Sequence, residues 1–170
     1  FRSTRADPAP RKFFVTHPVS EELDQLEYPW DIYEALKGQG ISGISFYANR
    51  GCPHSKNPCA FCDVTYPFGR RMSAQKVLEI LDQANERDVP YVSFGDEVFF
   101  QKKAWVEELV RGIRAKNLRL AFTCQTHVFF WPEDDLLREA VAANFVQISV
   151  GVETFQKDIL KYWNKCRADK

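Results

Sequence analysis

From Ile41 onward, short apolar runs alternate with amphipathic stretches of helical period, and that alternation leaves few folds open to the chain. Ile41–Tyr47, Tyr91–Phe94, Leu118–Cys124 and Phe145–Val150 read as strands. Between them, Ala74–Glu86 sets Val77, Leu78, Leu81 and Ala84 on one face behind a Ser73 N-cap, and Lys103–Lys116 does the same with Val106, Leu109, Val110 and Ile113. Pro132 suits a first helical position, and Glu133, Asp134 and Asp135 are acids that favour a helix N-terminus. Leu136, Leu137, Ala140 and Val141 then supply the apolar face. Phe155–Lys165 reads as a fourth helix, with Ile159, Leu160 and Trp163 inside. Four βα units imply parallel pairing through right-handed crossovers, so the expected class is α/β, either a doubly wound sheet or a stretch of (β/α) barrel.

The first 40 residues differ in texture, with prolines at 8, 10, 18 and 29 and no sustained apolar period. They read as an extended lead-in or linker (1–40) with one short helix around Asp31–Leu36, ahead of a single domain over 41–170. With 23 basic and 23 acidic residues the net charge is zero, which removes the basic field that captures nucleic acid. No window approaches the roughly 18 apolar residues of a membrane span, and the N-terminus lacks a secretory core, so a cytoplasmic protein is expected. The chain begins at Phe1 rather than Met, and further residues are expected upstream.

Parallel α/β proteins gather their sites at the carboxyl ends of strands. Here those ends run into the loop Asn49–Asp63, then Gly95-Asp96-Glu97, Cys124-Gln125-Thr126-His127 and Gly151-Val152-Glu153. The loop holds three of the five cysteines, Cys52, Cys59 and Cys62, in a C-x6-C-x2-C pattern. An odd count clustered in this way argues for a metal centre in a reducing compartment rather than a disulfide framework. Thiolates select zinc or iron–sulfur centres. With His54 as fourth ligand, the set Cys52, His54, Cys59 and Cys62 describes a closed zinc site in a binding module. With three thiolates alone, it describes a four-iron cluster with one iron open to an exogenous ligand. Cys124 and Cys166 lie outside the cluster and read as packing residues, and an α/β interaction domain with incidental cysteines is the third alternative.

Arg50-Gly51-Cys52-Pro53 leading to Cys59-Ala60-Phe61-Cys62-Asp63 after a first strand resembles the cluster loop of the radical S-adenosylmethionine (radical SAM) enzyme superfamily, and the resemblance runs from Ile41 to about Lys165. The family's usual spacing is C-x3-C-x2-C, so this loop carries three extra residues within His54–Pro58. The resemblance implies a partial (β/α) barrel, usually of six strands, so the chain is expected to be truncated before strands five and six. It implies a [4Fe-4S] cluster on Cys52, Cys59 and Cys62, whose fourth iron chelates S-adenosylmethionine and whose electron releases a 5′-deoxyadenosyl radical. By the same resemblance Phe61 sits beside the adenine, and Gly95-Asp96-Glu97 takes the place of a Gly-Gly-Glu-like segment that accepts from the methionyl ammonium. Ser149 and Glu153 become ribose or amino-acid contacts.

Pro29–Ile32, the Arg-Gly-Cys-Pro stretch and Gly151–Thr154 look most like the cobalamin-dependent-type branch of methyltransferases and cyclases. That likeness implies cobalamin through a domain not present here, methyl transfer to a natural product, peptide or tetrapyrrole, and an electron donor such as a flavodoxin or ferredoxin. His127 stands where that branch often has an arginine, either as a substrate contact or as a local hydrogen-bonding residue.

Overall fold

The apolar stripes of the helices decide how the chain packs. In the computed structural model, which describes residues 23–64 and 69–165, a 3-10 turn at Leu23–Gln25 leads into α1 (Trp30–Lys37), β1 (Ile44–Phe46) and β2 (Asn49–Arg50). Then follow β3 (Arg70–Arg71), α2 (Ala74–Glu86), β4 (Tyr91–Phe94), α3 (Lys103–Lys116), β5 (Ala121–His127), α4 (Asp134–Ala142), β6 (Phe145–Gly151) and α5 (Lys157–Tyr162). The main sheet has the order β1-β4-β5-β6, and every pair in it is parallel. Successive strands are added on one side only, so the order never reverses. A doubly wound sheet needs such a reversal and a barrel wall does not, which resolves the fold as a partial barrel.

The two faces of this sheet differ in chemistry. Ile44, Phe46, Val92, Phe94, Phe122, Cys124 and Phe145 are buried beneath the helices. Ser45, Tyr47 and Gln125, at positions of the opposite parity on their strands, are exposed, and so are Gln147 and Ser149, which follow a register shift after Phe145 on β6. Phe94, Phe99, Phe122 and Phe145 form an aromatic centre, with ring centroids 4.8 Å apart for Phe94 and Phe99 and 5.2 Å for Phe122 and Phe145. Offset and tilted pairs of this kind add about 0.5–1.5 kcal/mol each beyond their buried area. Ser73 caps α2 by accepting from the Lys76 amide at 3.1 Å. Asn117 ends α3 in the left-handed region, φ 49°. At Gly112 of α3 a Cβ would lie 2.4 Å from Leu78 Cδ1 of α2, so a glycine permits that helix contact.

Several elements depart from expectation. The third strand is Ala121–His127 rather than Leu118–Cys124, because the chain leaves the Asn117 turn with the Arg119 amide bonded to Asn85 Oδ1 and only then joins the sheet. Gln125, Thr126 and His127 pair with Ser149, Val150 and Gly151, so the backbone ladder outweighs their polarity. α4 starts at Asp134 behind Glu133 as N-cap, so Pro132 precedes the cap instead of taking the first helical position, and Val141 is 61% exposed rather than facing the core. The fourth helix shortens to Lys157–Tyr162.

The expected lead-in is not a linker from Leu23 onward. Leu23 and Tyr33 are buried in the core, Asp24 accepts from the Ser73 amide at 2.7 Å, and the Trp30 indole donates to Gln83. Residues 1–22, and Cys166 with its packing role, lie outside the described residues.

Candidate active site

Cys52, Cys59 and Cys62 stand on a loop whose base is closed by a ribbon that no sequence period announces. Asn49 and Arg50 of β2 pair antiparallel with Arg71 and Arg70 of β3, and the Met72 amide donates to the Ala48 carbonyl at 2.8 Å. Gly51, at φ +92°, turns the chain out of this ribbon. Two neighbouring carboxylates hold the turn. Asp96 Oδ1 accepts from the Asn49 amide, and Glu97 Oε2 accepts from the Gly51 amide at 3.1 Å. Arg50 adds an ion pair to Glu97 at 3.7 Å.

Beyond Cys52 the loop folds on its own turns, Ser55 to Cys52 and Asn57 to His54, each at 2.9 Å, with the His54 amide 3.4 Å from Cys52 Sγ. The segment after α5 then clasps its far side. The Ala60 amide donates to the Trp163 carbonyl at 2.8 Å, and Asn164 Nδ2 donates to the carbonyls of Asn57 at 2.9 Å and Pro58 at 3.1 Å.

The loop forms one wall of an open cleft of about 410 Å³ at the carboxyl ends of the strands. Cys52, Cys59, Cys62 and Phe61 line it together with Glu97, Ser149 and Glu153. All three thiols are free, Cys59 buried, Cys52 partly buried and Cys62 exposed. Burial pushes the Cys52 and Cys59 thiols up. At Cys52 the His54 amide opposes that shift, and at Cys59 the Lys165 ammonium does. A bound cation would ionise such thiols. Among the described residues no three His, Cys, Asp or Glu side chains gather as a site for a single metal ion. The Cys52–His54–Cys59–Cys62 zinc set is therefore not assembled, and His54 stacks on His127 with centroids 5.1 Å apart. In a four-iron cube each thiolate takes a different iron, so the sulfurs stand around the cube rather than converge on one point.

Two residues expected at the cofactor lie outside the cleft lining. Gly95 borders the neighbouring groove on the open sheet face, which it shares with Ser149 and Gln125. Asp96 is fully buried under the ribbon, where it positions Asn49 instead of facing the cleft. Desolvation pushes its carboxyl up to about 7, against the pull of the Asn49 amide. Cys124 is buried, its thiol pushed up to about 12 by desolvation and then by Asp96, which suits a packing residue. His127 lines the cleft and accepts at Nδ1 from the Phe129 amide at 3.2 Å.

Lys165 also lines the cleft, paired with Glu153 at 2.5 Å, and nothing in the sequence marked it. A lysine at the end of an amphipathic stretch reads as solvated.

Residues 46–170 match the family model of the Radical SAM superfamily. The chain belongs to that superfamily. No curated protein matches it significantly. Among solved structures it is similar to the cobalamin-dependent S-adenosylmethionine radical enzyme OxsB with aqua-cobalamin and S-adenosylmethionine bound. The two are 19% identical with a TM-score of 0.64, over 74% of this chain and 20% of OxsB. It is similar too to the radical S-adenosylmethionine methyltransferase TsrM from Kitasatospora setae, with tryptophan substrate and the SAM analog aza-SAM bound. There the identity is 18% and the TM-score 0.62, over 76% of this chain and 25% of TsrM. These likenesses show a shared fold, and this radical SAM chain spans about a fifth to a quarter of the length of those proteins.

Proposed function

We propose that Cys52, Cys59 and Cys62 hold a [4Fe-4S] cluster with one iron left for S-adenosylmethionine, and that the protein is a radical SAM enzyme. The observation that carries this reading is the single cleft on which three free thiols meet two carboxylates and an aromatic ring, in a chain of this superfamily. When bound, the reduced cluster supplies the electron that breaks a carbon–sulfur bond of S-adenosylmethionine, giving methionine and a 5′-deoxyadenosyl radical.

The chain's own task is to orient and to exclude water. Glu97 and Glu153 present negative charge suited to the ammonium and sulfonium of the nucleoside, and Ser149 offers a hydroxyl for its ribose. Phe61, 50% exposed on the loop, offers a ring for the adenine. Gly95 belongs to the same reading through the groove it borders, whereas Asp96 acts through Asn49 by holding the loop.

Methyl transfer to a natural product, peptide or tetrapyrrole, with cobalamin held by another part of the protein, is the finer proposal, supported by the fold shared with OxsB and TsrM. A flavodoxin or ferredoxin would deliver the electron. No helix among the described residues is long and apolar enough to cross a membrane, and a cytoplasmic location completes the proposal.

The test is anaerobic reduction of the full-length protein, with S-adenosylmethionine present, scored for 5′-deoxyadenosine. Cys52→Ala, Cys59→Ala and Cys62→Ala should each abolish its formation, and cleavage that survives them defeats the ligand assignment. A methylated product would separate methyl transfer from other radical outcomes.

A further inference from the structure

Lys165 is the most deeply buried charge of the cleft, its side chain 5% exposed. An unpaired ammonium so placed loses much of its hydration, so the surrounding chain must hold a counter-charge in place. Glu153 Oε1 stands 2.5 Å from Lys165 Nζ, and the ammonium also lies 5.5 Å from the centroid of the Phe61 ring.

The backbone is shaped around this pair at three points. Glu153 is in the left-handed region, φ 62°, a conformation unfavourable for a residue with a Cβ, which surrounding contacts must maintain. A Cβ at position 151 would lie 3.1 Å from both Glu153 Oε1 and Lys165 Nζ, so the glycine leaves room for the pair to settle against the strand end. Asn164, φ 55°, turns Lys165 inward while its own amide group clasps Asn57 and Pro58 of the cysteine loop. Such matched features describe a built ion pair, unlike the exposed Arg119–Asp88 and Arg138–Asp135 contacts elsewhere.

The pair lines the same cleft as the three cysteines and lies on the side of Cys59, where the Ala60 amide donates at 2.8 Å to the Trp163 carbonyl two residues before Lys165. Reduction adds one negative charge to an iron–sulfur centre, and a positive charge held nearby in a poorly hydrated site stabilises the reduced form.

We propose that Lys165 is a positioning residue with a redox role: it holds Glu153 toward the cleft and raises the reduction potential of the cluster from the Cys59 side. The proposal rests on the assignment of Cys52, Cys59 and Cys62 as cluster ligands. It requires the two halves of the pair to act with opposite sign.

The test is potentiometric titration of the full-length, anaerobically reconstituted protein without S-adenosylmethionine, followed by electron paramagnetic resonance, with iron counted in each sample. Lys165→Met should move the midpoint to more negative values, Glu153→Gln should move it to more positive values, and Lys165→Arg should restore the wild-type potential. Iron content should stay that of the wild type in all three. A purely structural role for the pair would lower iron content without opposite shifts in potential. Retained iron with unchanged potentials, or with both charge-removing variants shifting the same way, overturns the redox role alone. Absence of iron from the wild-type protein overturns the ligand assignment and this inference with it. Should Lys165→Met not fold, Lys165→Gln, which also removes the charge, decides the question by the same shift to more negative values.

Discussion

Asn49–Gly51 at the start of the cysteine loop and Asn57–Ala60 near its end are both tied to distant parts of the chain, and the ties differ in kind. At the start, two backbone amides donate to carboxylates, one of them fully buried. At the end, the partners are neutral amides and carbonyls, mostly exposed to water. A buried amide deprived of its acceptor costs about 1–3 kcal/mol, whereas an exposed neutral hydrogen bond contributes about 0.5–1.5 kcal/mol. The comparison therefore divides the loop into a fixed corner at Cys52 and an adjustable pair at Cys59 and Cys62, with the three extra residues, within His54–Pro58, between them.

The harshest way to break that difference is Asp96→Ala, which strands the buried Asn49 amide and leaves a cavity. We expect a loss of about 3 kcal/mol, read from urea midpoints, together with poorer iron loading. A loss no greater than that of Asn164→Ala would erase the distinction between the two ends.

A second measurement sharpens it through pH. The Asp96 carboxyl titrates at about 7 when folded, raised chiefly by desolvation, against a reference of 3.8. The folded protein thus holds this proton more tightly than the unfolded chain does. The associated stability is complete below about pH 4 and is lost as pH rises through 7. Asp96→Asn keeps an acceptor for the Asn49 amide and cannot ionise, so its stability relative to wild type should grow between pH 5 and pH 8. A constant difference across that range would contradict the assignment.

Glu97→Gln should have a smaller effect, about 1 kcal/mol, since the amide oxygen can still accept from Gly51 while the Arg50 ion pair is lost. Asn164→Ala should be the mildest, under about 1 kcal/mol, yet it should speed hydrogen exchange at the Ala60 amide more than at Gly51. Equal acceleration at both amides would mean that the loop opens as one unit.

Much of this architecture was legible in the residues. Helical period placed α2 and α3 to the residue, and the cysteine spacing marked the loop, because both signals are local. The direction of the sheet was not, since only the spatial order β1-β4-β5-β6 separates a barrel wall from a doubly wound sheet. The ribbon of Asn49–Arg50 with Arg70–Arg71 was invisible for a different reason, as two-residue strands have no period to read. Asp96 looked like its neighbour Glu97 until burial separated them, one beneath the ribbon and the other on the cleft. Lys165 was missed because its value comes from a fold that returns it to Glu153.

The central claim is that three cysteines share one iron–sulfur cube with a corner open to a nucleoside sulfonium. Counting metal and acid-labile sulfide in the anaerobically reconstituted full-length protein tests it most directly. About four irons and four sulfides per chain, with loss of both in the Cys52→Ala, Cys59→Ala and Cys62→Ala proteins, is the result expected. A colourless protein carrying one zinc per chain, or iron that persists when all three cysteines are replaced, would contradict it.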